Sequence, residues 1–282
     1  MGIRTITVLG AGTMGHGIAH AAIAGGYPTR IYDVSDQAVG KGRGAIEQIV
    51  GKGVELGKLS APDADAMLAR LSGTTSLPEA LQDADLVIEA APERIDLKLA
   101  LFAQIEQHAP AHAVIGSNTS ALSITELAGS LRNPARAAGM HFFNPVHKMK
   151  LVEIVRALES APATLDAIEE VSRRMGKETV LVRESPGFIT TRVNASIGNE
   201  AFYMLMEGVA SARDIDKALK LGLNHPMGPF ELVDLVGLDT RLSILEYLHR
   251  SLGEKYRPCP LLAQYVKAGR LGRKVGRGVY DY

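Results

Sequence analysis

Three short segments carry polar residues suited to proton chemistry in otherwise apolar surroundings. His141 opens the run His-Phe-Phe-Asn-Pro, residues 141–145, at the end of the apolar stretch Ala137–Met140. Glu153 lies within Leu-Val-Glu-Ile-Val, residues 151–155. A carboxylate among branched apolar side chains is desolvated and demands a partner. The loop of residues 144–149 is short enough to fold the second run back beside the first. Glu153 then accepts from one imidazole nitrogen and leaves the other to act as general base. The third segment, Ser117-Asn118-Thr119-Ser120, follows Val114–Gly116, which places its hydroxyls at a strand's C-terminal end, where open α/β sheets bind ligands. Taken singly, each residue has a plain reading. A histidine at a strand end is more often structural, a serine after a strand is usually a cap, and Glu153 could pair with a lysine such as Lys150. Their joint occurrence makes the case for chemistry.

A second constellation opens the chain. Gly10-Ala11-Gly12-Thr13-Met14-Gly15 closes the hydrophobic run Thr5–Leu9 and opens a helical one. Gly10 permits the tight turn, Gly12 lets the backbone approach a pyrophosphate, and Gly15 lets helix pack closely on strand. The helix N-terminus presents unpaired N–H groups to phosphate, with Thr13 and Met14 in the loop beside it. Such a glycine pattern alone is weak. Here it forms the first strand-to-helix turn, and Asp33 ends the second strand 18 residues after Gly15, where a carboxylate accepts from ribose hydroxyls. Asp33 would repel a 2′-phosphate, and Val34-Ser35-Asp36 supplies no compensating arginine, so NAD is expected over NADP.

The elements needed to hold these residues are legible upstream of residue 184. Strands are predicted at Thr5–Leu9, Thr29–Tyr32, Leu86–Glu89, Val114–Gly116, Ala137–His141, Leu151–Val155 and Thr179–Val182. Helices are predicted at Gly15–Ala24, Asp36–Val50, from Ser60 to Arg70, and at Arg94–Gln107, Ser123–Ala128 and Ala163–Met175. Such alternation implies βαβ units and a parallel sheet covered on both faces. After Glu184-Ser185-Pro186-Gly187 only helical periodicity remains: Phe188–Glu207, Arg213–Leu221, Phe230–Val236, Thr240–Leu252 and Leu261–Ala268. The expected fold class is therefore α/β: a Rossmann-type doubly wound sheet over residues 1–184, then an all-helical substrate and dimerisation domain over 185–282. Apolar residues on more than one face of 197–205 and 232–245 suit a compact core or a subunit interface.

Composition narrows the classes. Lysine plus arginine equals aspartate plus glutamate, 31 each, so no global field favours nucleic acid or an anionic membrane. The single cysteine, Cys259, makes neither an internal disulfide nor a metal cluster, and fits a reducing compartment. No run approaches the roughly 18 apolar residues that cross a bilayer. The first strand begins almost at once, leaving no room for a leader, so a cytoplasmic protein is expected.

The sequence resembles the L-3-hydroxyacyl-CoA dehydrogenase family, especially the short-chain 3-hydroxybutyryl-CoA dehydrogenases, over essentially its whole length. The carrying motifs are Gly10–Gly15, Ser117–Ser120, His141–Pro145 running on to Met149–Glu153, Pro186-Gly187-Phe188-Ile189, and Pro226-Met227-Gly228-Pro229-Phe230-Glu231-Leu232. The resemblance implies NAD-dependent oxidation of an (S)-3-hydroxyacyl-CoA, and its reverse. It implies His141 as base, Glu153 as its partner, and Ser120 as donor to the substrate oxygen beside the nicotinamide. It also places Glu93, Lys98, Asn144 and Lys274 along the cofactor, and implies a homodimer through the C-terminal helices. Where the family commonly has asparagine, two residues after the isoleucine of Pro-Gly-Phe-Ile, this chain has Thr191. It is expected to contact substrate directly or through a water, aided by Asn194. Lys41, Arg43, Lys52 and Lys58 lie where the family receives the adenylate end of CoA, although scattered lysines usually mean a solvated helix face. Two rivals stand beside this reading: a related NAD-dependent dehydrogenase of a sugar acid, and a nucleotide-binding protein without turnover.

Overall fold

A computed structural model describes residues 2–282. The chain divides into two compact units, one ending at Glu184 and the other running from Ser185 to Tyr282. The first runs β1 (Ile6–Leu9), α1 (Thr13–Ala24), β2 (Thr29–Tyr32), α2 (Asp36–Glu55), α3 (Ala61–Leu68), β3 (Leu71–Thr74), α4 (Leu77–Leu81), β4 (Leu86–Glu89), α5 (Ile95–His108), β5 (Val114–Ser117), α6 (Ile124–Gly129), β6 (Ala137–Phe142), β7 (Leu151–Arg156), α7 (Pro162–Arg174) and β8 (Glu178–Arg183).

The strands form one sheet in the order β3-β2-β1-β4-β5-β6-β7-β8. All neighbours are parallel except β6 and β7. Every residue of β1, β4, β5 and β6 is buried, as a parallel sheet covered by helices requires. The chain leaves β1 towards β2 and β3, then returns to build the other half from β4. That reversal opens a crevice at the carboxyl ends of β1 and β4. Most helices here start on a serine cap: Ser35 accepts from Ala38 N, Ser60 from Asp63 N, Ser76 from Glu79 N and Ser123 from Glu126 N. At α1 the cap is Gly12, with no side-chain bond, so its first N–H groups stay available to an anion.

Two elements depart from the sequence reading. β3 and α4 fall where no strand or helix is predicted. Leu-Ser-Gly-Thr has neither alternation nor a β-branched run, and it is a strand because its backbone completes the edge of β2. α4 is five residues long, too short to show a period.

The second unit comprises α8 (Thr190–Met206), α9 (Ala212–Gly222), α10 (Pro229–Val236), α11 (Leu238–Leu252) and α12 (Pro260–Lys267), with no strand among its described residues. Phe202, Phe230, Leu245, Leu248 and Leu262 form its core. Gly237, at φ 105°, breaks the path between α10 and α11 with a backbone angle other residues rarely adopt. Two buried acids secure the C-terminal segment. Asp234 accepts from Val279 N, Tyr280 N and the Tyr282 hydroxyl. Asp216 accepts from Phe230 N, Glu231 N and the Tyr280 hydroxyl, and burial pushes its carboxyl above the usual range.

Candidate active site

The antiparallel pairing of β6 with β7 sets His141 directly opposite Glu153. His141 Nδ1 lies 2.7 Å from Glu153 Oε2, with Glu153 wholly buried and His141 4% exposed. A carboxylate only accepts, so Nδ1 carries the proton and Nε2 presents its lone pair. Ser120 Oγ lies 3.1 Å from that Nε2. Glu153 thus meets the imidazole.

The loop carrying Ser120 is held from below. Glu93 Oε1 accepts from Thr119 Oγ1 at 2.5 Å, Ser120 N at 2.9 Å and Ala121 N at 3.3 Å. Asn118 Oδ1 accepts from Phe142 N at 2.9 Å, tying the end of β5 to the end of β6. Lys98, 1% exposed, donates to Glu89 Oε1 at 2.6 Å and to the Ala91 carbonyl at 3.1 Å, and lies 3.5 Å from Glu93 Oε2. Glu89, also wholly buried, accepts from Ala91 N and from Ser117 Oγ. Glu89, Ser117 and Asn118 thus anchor Lys98 and the Ser120 loop without having been singled out individually in the sequence. The signal for Glu89 was present, since Leu-Val-Ile-Glu buries a carboxylate by the same logic as the Glu153 strand.

At the β1 end, Asp33 Oδ2 accepts from Ala11 N at 2.8 Å and Oδ1 from Val34 N at 2.7 Å. The carboxylate therefore braces the glycine loop from the end of β2. A Cβ on Gly10 would meet the Ala90 carbonyl at 2.6 Å, and one on Gly15 the Gly10 carbonyl at 1.7 Å, whereas one on Gly12 would meet nothing within 4 Å. Gly10 and Gly15 are thus demanded by packing, while Gly12 leaves an open cradle beside an uncapped helix start. These residues fit the pyrophosphate and ribose of a dinucleotide.

The remaining candidates are distributed more widely. Asn144 is exposed in the loop after β6. Lys41, Arg43 and Lys52 project from α2 and Lys58 follows it, all exposed, and Lys52 pairs with Glu55 at 2.8 Å. In the second unit, Thr191 is half-buried in the first turn of α8. Lys274 donates to both oxygens of Asp239 at 2.6 Å.

Comparison with known proteins decides the family. Residues 5–185 match the model of the 3-hydroxyacyl-CoA dehydrogenase NAD binding domain, and residues 187–282 that of the 3-hydroxyacyl-CoA dehydrogenase C-terminal domain. The chain belongs to the 3-hydroxyacyl-CoA dehydrogenase family. It is 46% identical over 283 residues to a probable 3-hydroxybutyryl-CoA dehydrogenase of Bacillus subtilis, covering 100% of this chain and 98% of the relative. It is 42% identical to the 3-hydroxybutyryl-CoA dehydrogenase of Bradyrhizobium diazoefficiens, covering 99% and 96%. The crystal structure of (S)-3-hydroxybutyryl-CoA dehydrogenase from Ralstonia eutropha superposes with a TM-score of 0.96 at 44% identity, covering 100% and 99%. As a member of this dehydrogenase family the chain is an oxidoreductase that uses NAD. No helix among its described residues is long and apolar enough to cross a membrane.

Proposed function

We propose that the chain oxidises the 3-hydroxyl of an (S)-3-hydroxyacyl-CoA, with 3-hydroxybutyryl-CoA as its reference substrate, and catalyses the reverse reduction. The reading is carried by one observation: His141 is held between Glu153 at 2.7 Å and Ser120 at 3.1 Å.

His141 Nε2 takes the hydroxyl proton as C3 becomes a carbonyl. Glu153 stabilises the positive charge that develops on the imidazole and fixes its tautomer. Ser120 Oγ shifts from Nε2 to the substrate oxygen and supports it as its bonding changes, and Thr191 adds a second hydroxyl. The glycine loop and Asp33 would hold NAD, which would supply the acceptor for the hydride from C3. Oxidation releases a proton overall, so alkaline conditions favour it. Asp33 takes the adenosine ribose, while Glu93, Lys98, Asn144 and Lys274 line the rest of the cofactor. Lys52 and Lys58, with Lys41 and Arg43, receive the phosphates of CoA.

Two coarser expectations belong to the same reading. Val193, Met206, Val209, Leu221 and Leu223 are exposed apolar residues of the second unit, which supports a homodimer through its helices. Cys259 is buried and unpaired, in keeping with a reducing cytoplasm.

Acetoacetyl-CoA offered with NADH tests the function against free hydroxy acids and sugar acids offered with NAD. Turnover of the thioester, abolished in His141→Ala, is the expected result. Turnover of a free acid in its place, or undiminished activity in His141→Ala, would sink the reading.

A further inference from the structure

β5 stops before β6 does. Their parallel ladder ends with Ser117 opposite Gly139, whereas β6 runs on to Phe142. There Asn118 Oδ1 receives the Phe142 amide at 2.9 Å, in place of a strand carbonyl. An N–H only donates, so the atom facing Phe142 is the side-chain oxygen, and the two N–H groups of the Asn118 amide are turned away from it. The Asn118 backbone N–H is also committed, to the Glu89 carbonyl at 2.8 Å. The residue is thus fastened to the ends of both β4 and β6.

What remains is Nδ2. Among the described residues it has no acceptor, and it is not sealed from solvent, the side chain being half-buried. The donors that follow it in the loop are spent. Thr119 Oγ1, Ser120 N and Ala121 N all go to Glu93 Oε1. Two free N–H groups on a frame fixed at both ends form a ready-made recognition group.

Position along the sheet says what this group would bind. At the carboxyl edge Asp33 follows β2, the glycine loop follows β1, Glu93 follows β4, Asn118 follows β5 and His141 lies near the end of β6. With the ribose acid and the phosphate cradle on β2 and β1, the second half of a dinucleotide extends over β4 and β5. β5 is two strands, about 10 Å, from β1, and it is the last strand before the base. The ring that takes the hydride must reach C3, which the proposed reaction holds beside His141 and Ser120. The reacting oxygen already has His141 Nε2 and the Ser120 hydroxyl. The acceptor that the ring itself carries is its carboxamide oxygen, and an amide N–H is the natural complement. We propose that Asn118 Nδ2 donates to the nicotinamide carboxamide oxygen and so fixes the rotation of the ring, which decides the face that meets C3. This deepens the proposed dehydrogenase function and rests on it.

The test is a pair of calorimetric titrations of the full chain, one with NADH and one with ADP-ribose, which lacks the nicotinamide. Asn118→Asp keeps an oxygen for the Phe142 amide and replaces the donors with a second acceptor. NADH is the probe because its ring is neutral, so the new charge does not itself attract it. In Asn118→Asp the affinity for NADH should fall about tenfold, which one lost hydrogen bond supplies, while that for ADP-ribose changes by less than about twofold. Asn118→Asp should melt close to wild type, whereas Asn118→Ala, which abandons the Phe142 amide, should melt lower and lose NADH affinity alike. Should Asn118→Asp not fold, the NADH to ADP-ribose ratio in Asn118→Ala decides. Unchanged NADH affinity overturns the proposal. So do equal losses for both ligands, which would make Asn118 a brace of the loop and nothing more. Intact NADH binding with a raised KM for acetoacetyl-CoA would give the donor to the substrate and likewise overturn it. A wild-type protein that showed the expected ratios but turned over no acetoacetyl-CoA would remove the proposed substrate and leave this assignment standing.

Discussion

His141 and Glu153 are register partners on adjacent antiparallel strands, joined Nδ1 to Oε2 at 2.7 Å in the interior of the first unit. The acid cannot leave this position without dragging its strand. Glu153→Gln keeps the shape but removes the charge proposed to stabilise an imidazolium. It should lower kcat by about 10²–10⁴, with a much smaller effect on KM for NAD. Steady-state kinetics check this; a kcat within twofold of wild type would refute the dyad.

Ser120 touches the imidazole nitrogen proposed to transfer the proton, while Glu93 holds the Ser120 amide. Ser120→Ala therefore leaves the loop backbone anchored and removes only the hydroxyl. A drop in kcat of about 10²-fold, the usual cost of losing one oxyanion donor, is expected with the melting temperature unchanged. Unaltered turnover would exclude Ser120 from the reaction.

Asp33 braces Ala11 N and is proposed to take the ribose. Asp33→Ala should raise KM for NAD at least about tenfold and erase the preference over NADP. Paired titrations with the two cofactors measure it. Persistent discrimination against NADP would place selectivity elsewhere.

Glu89 and Lys98 form a buried ion pair at 2.6 Å. Glu89→Gln leaves the Lys98 ammonium only the Ala91 carbonyl and the more distant Glu93 carboxylate, and should cost up to about 3–5 kcal/mol of stability, as breaking buried pairs does. Chemical denaturation provides the number. Glu89→Gln combined with Lys98→Met should recover part of the loss, because the second change removes the stranded charge.

His20, on α1, is largely buried with its Nδ1 unpaired. Burial, with His147, Lys177 and His16 nearby, lowers its imidazole to about 4 from 6.5. Below pH 6.5 the unfolded chain takes up this proton while the folded chain refuses it. The associated stability is thus complete above pH 6.5 and is lost progressively as pH falls towards 4. His20→Leu should flatten this part of the stability curve, and melting temperatures measured from pH 4 to pH 7 would show it. An unchanged slope would mean that His20 does not titrate with folding.

The sequence was most informative where a local pattern met a local geometry. Glu153 was recognisable as a partner for His141 because a short loop separates two apolar strands, and the observed antiparallel pairing follows from that shortness. The glycine loop and Asp33 were legible for the same reason. β3 was not, because Leu71–Thr74 owes its conformation to β2 beside it rather than to its own residues. Arg241, buried in α11, was hidden more deeply. Asp-Thr-Arg-Leu-Ser reads as an ordinary half-exposed helix, and only the packing of α8 at Gly198 places that arginine inside. Asp216 and Asp234 escaped notice likewise, since their donors lie as far away as Tyr280 and Tyr282.

The one antiparallel pairing in the sheet has a wider effect. Because acid and base belong to a single hairpin closed by a short segment, assembling them costs little chain entropy. Segments remote from that hairpin can lengthen, shorten or change chemistry while the His141–Glu153 pair remains whole. A family built on this plan is free to alter what it accepts without reinventing how it reacts.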